Sequence, residues 1–364
     1  MSSTEGPATP PQVVVVAGSG RSGTSSIAGA LKIAGLRVPP PEVPGNRSNP
    51  RGFFEPRWVV DQQTRLLRRA GVVLTDARPT AFARTREVAE ADDVRETIAG
   101  WLREQIGHHP RLLVKDPRNN WFLPLWRRAA ADAGAESSYL TMLRHPAEVV
   151  GSKDTYYKAR GAGGTVRHAQ TTRVASWLNV ALFTEVETRD ARRTFVLYND
   201  LLDDWRPVLA RVGDELALAG LDDLPDEVAS EIDEFVDPGL RRVRTQWDEI
   251  DCPDEIREMA QQVWDHLGVL ASERGFDEAA QSGLDALRER YTALYLDAEA
   301  LAQSTAEAAQ RAGAHRGRGA VLKQQRRARR KAARARRSRL DRARGEAAGA
   351  LRRVVRRVRR GRRV

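Results

Sequence analysis

The sequence predicts an α/β fold: a three-layer sandwich on a mainly parallel sheet, followed by a helical segment and a basic tail. Three observations carry that expectation. Val13 to Val16 are four β-branched residues in a row, the pattern of a strand buried on both faces. Short apolar runs then alternate with helical patterns across residues 12–220, as when parallel strands are joined by crossover helices. Finally, the first strand runs into Gly18-Ser19-Gly20-Arg21-Ser22-Gly23-Thr24-Ser25-Ser26, a glycine turn opening a helix. Helix N-termini placed this way offer unpaired N–H groups and a positive dipole end to a phosphate.

Taken in order, the first strand and helix are followed by a Pro- and Gly-rich connection over residues 36–57. It ends in Phe53-Phe54-Glu55, where bulky apolar groups flank a carboxylate. A connection of that length is functional or mobile. A strand is expected at Val72-Val73-Leu74, a helix near 86–106 and a strand at Leu112-Leu113-Val114. A helix near 121–133, a strand at Tyr139 to Leu143 and a helix from Pro146 come next. A long helix near 168–189, a strand at Phe195-Val196-Leu197 and a helix after Trp205 complete the pattern. The α/β domain is expected over residues 12–275, after a disordered lead-in at 1–11.

A chain of 364 residues with 41% hydrophobic content can bury a sizeable core. It has no run of 18 apolar residues, and its first residues lack the charged-then-apolar layout of a secretion signal. A lone cysteine, Cys252, fits a reducing compartment, so a cytoplasmic location is expected. The net charge of +11 combines two unlike parts. From Arg311 onward there are 23 Lys or Arg against Asp341 and Glu346, which leaves the first 310 residues at net −10.

Between the two, over 276–310, Leu284, Leu287, Tyr291, Leu294, Ala298 and Leu301 recur at heptad spacing. That seam fits a helix folded back on its own domain or a homodimer coiled coil. In the tail, 311–364, Leu351, Val354, Val355 and Val358 form one face of an arginine-rich amphipathic helix. Such a helix suits an anionic membrane surface. Non-specific nucleic-acid binding and a solvated tail are the alternatives, and the scarcity of aromatics argues against a specific nucleic-acid partner.

The glycine loop has the Gly18…Gly23 spacing of a nucleotide triphosphatase loop, but Thr24 stands where that loop has lysine, and the basic residue comes earlier, at Arg21. A second phosphate-type element is Leu143-Arg144-His145-Pro146 running to Gly151-Ser152. A guanidinium at a strand end and a hydroxyl on the following helix can share one phosphate group. No His/Cys/Asp cluster has metal-ligand spacing, so no metal is expected.

Together these elements resemble the sulfotransferases that use 3′-phosphoadenosine 5′-phosphosulfate (PAPS), above all bacterial carbohydrate-type and tyrosylprotein-type members. The loop G-S-G-R-S-G-T-S is similar to that family's 5′-phosphosulfate element. Arg144 and Ser152 have the spacing of its 3′-phosphate pair. Lys115-Asp116-Pro117-Arg118 and the segment Phe195 to Leu202 match two further elements, so the likeness spans roughly residues 12–245. It implies a P-loop-like fold, PAPS as co-substrate and a hydroxylated acceptor, a glycan or glycolipid; a nucleotide-binding phosphotransferase and a non-catalytic membrane- or nucleic-acid-binding scaffold are the alternative readings.

The resemblance also implies the site. Gly20, Arg21, Ser22, Gly23, Thr24 and Ser25 would hold the phosphosulfate, Arg144 and Ser152 the 3′-phosphate, and Tyr198 the adenine. Arg241 and Arg242 could close over the 3′-phosphate. Arg21 would neutralise the leaving group, and Lys115 is the better candidate for an acid because arginine stays charged at any working pH. For the base, Glu55 is flanked by Phe53, Phe54 and Pro56, which would shield it from water; Glu42 is its rival.

Overall fold

The computed structural model describes residues 10–47, 49–156, 166–237, 239 and 244–313. The expected strand at Val13 to Val16 is β1 (Gln12–Ala17), all six residues of it buried. It pairs in parallel with β2 (Arg111–Lys115) on one side and β3 (Glu136–Leu143) on the other, and β3 pairs in parallel with β4 (Arg192–Leu197). Among the described residues this gives a four-stranded sheet in the order β2-β1-β3-β4. The chain leaves β1 toward one edge and returns on the other side of it. The point where the order reverses lies between β1 and β3, and a crevice opens there beyond the strand ends.

Alternation along β1 builds the three layers. Val14 and Val16 pack with α1 (Thr24–Ile33), α8 (Tyr198–Asp203), α9 (Trp205–Leu216) and α10 (Asp226–Phe235). Val13 and Val15 face the opposite layer, made by α2 (Arg57–Ala70), α3 (Ala81–Ala89), α4 (Asp92–His108) and α5 (Leu123–Asp132). A third cluster joins α6 (Pro146–Tyr156), α7 (Val166–Glu187) and α11 (Asp254–Ser272) to the β3 and β4 ends through Leu143 and Phe195. The expected three-layer parallel sandwich is the observed architecture.

Two local expectations are corrected. Residues 72–74 form no strand. Asp76 accepts the Val73 amide at 3.3 Å and donates its own amide to the Val73 carbonyl at 3.1 Å, which closes a turn and leaves Val73 exposed. The single helix near 86–106 is two, α3 and α4, because Ala91 is extended and Asp92 and Asp93 start a new first turn, where the dipole favours carboxylates.

Contacts divide the chain into Met1–Tyr295 and Leu296–Val364. In the first unit, helical residues 278–295 bury Leu284, Leu287 and Tyr291 in the third cluster. The Tyr291 hydroxyl donates to the carbonyls of Ala77 and Ala175, at 2.6 and 3.0 Å. This part of the heptad seam therefore packs on its own domain. In the second unit, residues 296–313 are helical and exposed, Leu301 at 85%. The basic stretch from residue 314 lies outside the described residues. No helix among the described residues is long and apolar enough to cross a membrane.

Candidate active site

Everything that shapes the site starts where β1 runs out. Gly18 adopts φ +123°, and a Cβ there would stand 2.6 Å from the Met142 carbonyl oxygen of β3, so only glycine fits. Asn120, in the 3-10 turn Pro117–Trp121 that follows β2, clamps this residue from both sides. It accepts the Gly18 amide at 2.8 Å and donates to the Gly18 carbonyl at 3.0 Å. Its neighbour Asn119 donates to the carbonyls of Val16 and Val114, at 3.0 and 2.9 Å, tying β1 to β2. Gly23 then caps α1 in the left-handed region, φ +89°, where a Cβ would sit 2.2 Å from the Tyr198 ring. The Ser26 and Ile27 amides bond back to the Gly23 carbonyl. The amides of Thr24 and Ser25, in the first turn, have no acceptor within the helix.

Arg21 is a non-glycine residue at φ +78°, a backbone position that stores of order 1–3 kcal/mol of strain. The residue is held there by the second sequence element. Arg144, just past the end of β3, donates through Nη1 to the Arg21 carbonyl at 3.2 Å, and Arg21 Nε donates to the Ser152 hydroxyl of α6 at 3.1 Å. Arg144 is itself fixed from two sides. Its Nε meets Glu148 Oε2 at 2.8 Å, and its guanidinium stacks over the Tyr198 ring, 4.7 Å from the centroid. Two motifs 123 residues apart thus share hydrogen bonds at the switch point of the sheet.

The opposite corner is built from β2 and the 36–57 connection. Lys115, 2% exposed, ends β2 with its ammonium 2.6 Å from Glu55 Oε1 and 3.2 Å from the Ser25 hydroxyl. Phe53 covers the pair, its centroid 6.0 Å from the ammonium. Asn49 donates to Ser25 Oγ at 3.1 Å and to the Gly52 carbonyl at 2.6 Å, which holds the connection against the start of α1. Beside Lys115, burial pushes the Asp116 carboxyl up to about 6, with the Glu55 charge adding to the rise and Arg118 opposing it. Asp116 caps the 3-10 turn by accepting the Arg118 amide at 2.8 Å.

A cavity of about 590 Å³ lies between these corners, of a size that takes a nucleotide-like ligand. Of the residues expected from the sequence, Gly20, Arg21, Gly23, Thr24 and Ser25 line it on the loop side. Glu55, Lys115, Arg144, Ser152 and Tyr198 line the remaining wall. Ser22 is buried, and its hydroxyl has no hydrogen-bond partner among the described residues. Tyr198 is 5% exposed and packs under Gly23 and Arg144, so most of its ring is already in contact with protein. Arg241 and Arg242 lie outside the described residues. Glu42 is ion-paired with Lys32 at 2.5 Å and does not line the cavity. His145 packs against Trp247 and Trp264 and meets Gln261 at 3.1 Å.

Contributors that sequence reasoning missed include Asn120, Lys153, Arg173 and Phe235. Lys153 directly follows Ser152, and Asn120 follows the Lys115-Asp116-Pro117-Arg118 run, so both were adjacent to motifs already singled out. Phe235 and Arg173 come from α10 and α7, and only the fold brings them here. Phe235 stacks edge-on against Phe54 at 5.5 Å, and Arg51 bonds the Phe235 carbonyl and lies 5.9 Å from its ring. Among the described residues no group of three or more His, Cys, Asp or Glu is arranged to hold a metal ion.

No family model and no curated protein matches this sequence. Solved structures do. One is a sulfotransferase domain from the Synechococcus PCC 7002 olefin synthase, 20% identical, TM-score 0.42, covering 72% of this chain and 97% of that domain. Another is a sulfotransferase domain from the curacin biosynthetic pathway, 18% identical, TM-score 0.38, covering 71% of this chain and 98% of that domain.

Proposed function

We propose that this protein is a sulfotransferase that moves a sulfuryl group from PAPS to a hydroxyl acceptor. One observation carries the reading: the Arg144–Arg21 and Arg21–Ser152 hydrogen bonds fuse a helix N-terminus and a buried guanidinium–hydroxyl pair into one wall. A donor with phosphate groups at both its 5′ and 3′ positions needs two such anion sites a short distance apart. The Walker lysine, which a triphosphate donor would use, is replaced by Thr24. The residues present fit the donor's charge, since Arg21, Lys115, Arg144 and Lys153 all line the cavity with Glu55 as the carboxylate.

When bound, PAPS supplies an activated sulfuryl group whose transfer is an in-line displacement, helped mainly by positioning and charge stabilisation. Arg21 and the first-turn amides of α1 hold the phosphosulfate end, and Arg144 and Ser152 hold the 3′-phosphate. Glu55 accepts the proton of the attacking hydroxyl as the new O–S bond forms. The electron pair of the breaking S–O bond leaves with the 5′-phosphate, where Arg21 and Lys115 meet the added charge. Lys115 also fixes Glu55, so the acid and the base of the sequence reading form one bonded pair.

The acceptor is a glycan or glycolipid in this proposal, and the basic stretch from 311 holds the enzyme at an anionic cytoplasmic membrane face, each Lys or Arg near the surface contributing about 1 kcal/mol. Transfer from radiolabelled PAPS to a panel of glycans, glycolipids and phenols tests the chemistry; label moving only to phenols would overturn the acceptor class, and no transfer to any would overturn the activity. Liposome flotation with and without residues 311–364 tests the tail, and equal behaviour of the two chains would remove it from the account.

A further inference from the structure

Among the cations of the cavity that the proposed roles leave unused is Lys153. Lys153, on α6, lines the cavity and is 7% exposed, yet among the described residues no carboxylate stands within ion-pair distance of it. The contact of its ammonium is the Ser19 hydroxyl of the glycine loop, at 3.4 Å. The carboxylates on its own helix are engaged elsewhere: Glu148 with Arg144, and Asp154 with Arg173 and Gln170. The other charged groups lining the cavity are the cations Arg21, Arg51, Lys115, Arg144 and Arg173 and one carboxylate, Glu55, which is bonded to Lys115. A buried ammonium with only a hydroxyl contact is costly unless an anion joins it. Burial, with the nearby Arg173 charge, accordingly lowers Lys153 from its ordinary 10.5 to about 8.

We infer that Lys153 is a further binding residue of this site, an ammonium that closes with Ser19 on a tetrahedral oxyanion. The inference rests on the proposed function for the identity of the anion, a phosphosulfate, but not for its charge. Lys115 cannot play the same part, because Glu55 already supplies its counter-charge at 2.6 Å. A dianion beside Lys153 would favour its charged form. Arginine at this position would bind the anion without exchanging a proton.

The test follows the Lys153 side chain by ¹³C NMR of lysine-labelled full-length protein, assigned with Lys153→Arg, using inorganic sulfate, which does not itself titrate in this range. The expected midpoint is near 8 without sulfate and at least one pH unit higher at saturation. Sulfate should bind Lys153→Met at least 10-fold more weakly, and Lys153→Arg within a few-fold of wild type. A midpoint that sulfate does not move, or unchanged sulfate affinity in Lys153→Met, overturns the inference. Competition by 3′-phosphoadenosine 5′-phosphate (PAP) is read in the same samples. Its failure to displace sulfate, with the sulfate-induced shift intact, sinks the PAPS reading and leaves the Lys153 assignment standing.

Discussion

Two buried lysines stand at opposite corners of one cavity and have opposite settings. Lys115 ends a central strand, and Glu55 meets it at 2.6 Å under Phe53. Lys153 sits on a helix among arginines, with a serine hydroxyl at 3.4 Å as its contact. Burial is nearly the same, so the partner decides the behaviour. A lysine bonded to a carboxylate has its counter-charge in place; one whose contact is a hydroxyl is a charge waiting for a ligand. The Lys115 corner is complete without a substrate, whereas the Lys153 corner becomes electrostatically balanced only with one.

The largest effect that could break this contrast is at the complete corner. Lys115→Met leaves Glu55 buried without its counter-ion and should cost about 3–5 kcal/mol of stability by denaturant unfolding. Lys115→Met combined with Glu55→Gln should recover much of that loss; additive losses would mean that the pair is not a unit. Next in size, Arg144→Ala removes the support of the Arg21 carbonyl and the partner of Glu148. Affinity for PAP should fall by about 100-fold in calorimetry, in line with charge-assisted bonds worth about 1.5–3 kcal/mol.

At the incomplete corner the sign reverses. Lys153 is lowered in the folded state, so between about pH 8 and its ordinary 10.5 the unfolded chain holds more protons. Stability of the ligand-free protein should therefore rise with pH across that window, and below it the charged group is a liability. Lys153→Met should raise the melting temperature at pH 7 by about 2–4 °C while weakening anion binding, and the rise between pH 8 and 10.5 should shrink. A melting temperature that falls at pH 7 would contradict the contrast. The smallest effect is expected at Arg21→Gly, which relieves φ +78° and should add about 1 kcal/mol of stability while turnover drops.

Much of this was legible in the sequence, for physical reasons. Four valines in a row fix a central strand, and a parallel sheet must then bind ligands beyond the strand ends, so Arg21 and Arg144 had to lie near each other. The Lys115–Glu55 contact was not legible, since a strand end and a Pro-rich loop have no periodicity linking them. Asn120 was missed because an asparagine in a turn reads as turn chemistry, and its grip on Gly18 is tertiary. Val72-Val73-Leu74 misled because three β-formers do not outweigh an aspartate able to close a turn.

The central claim is that the loop, Arg144 and Ser152 form one site for a nucleotide phosphorylated at both ends and not for a triphosphate. Calorimetric titration of the full-length protein with PAP and with ATP, under matched conditions, tests it most directly. Low-micromolar binding of the first and at least 100-fold weaker binding of ATP is the expected result. Equal binding of the two, or binding of ATP alone, would contradict it.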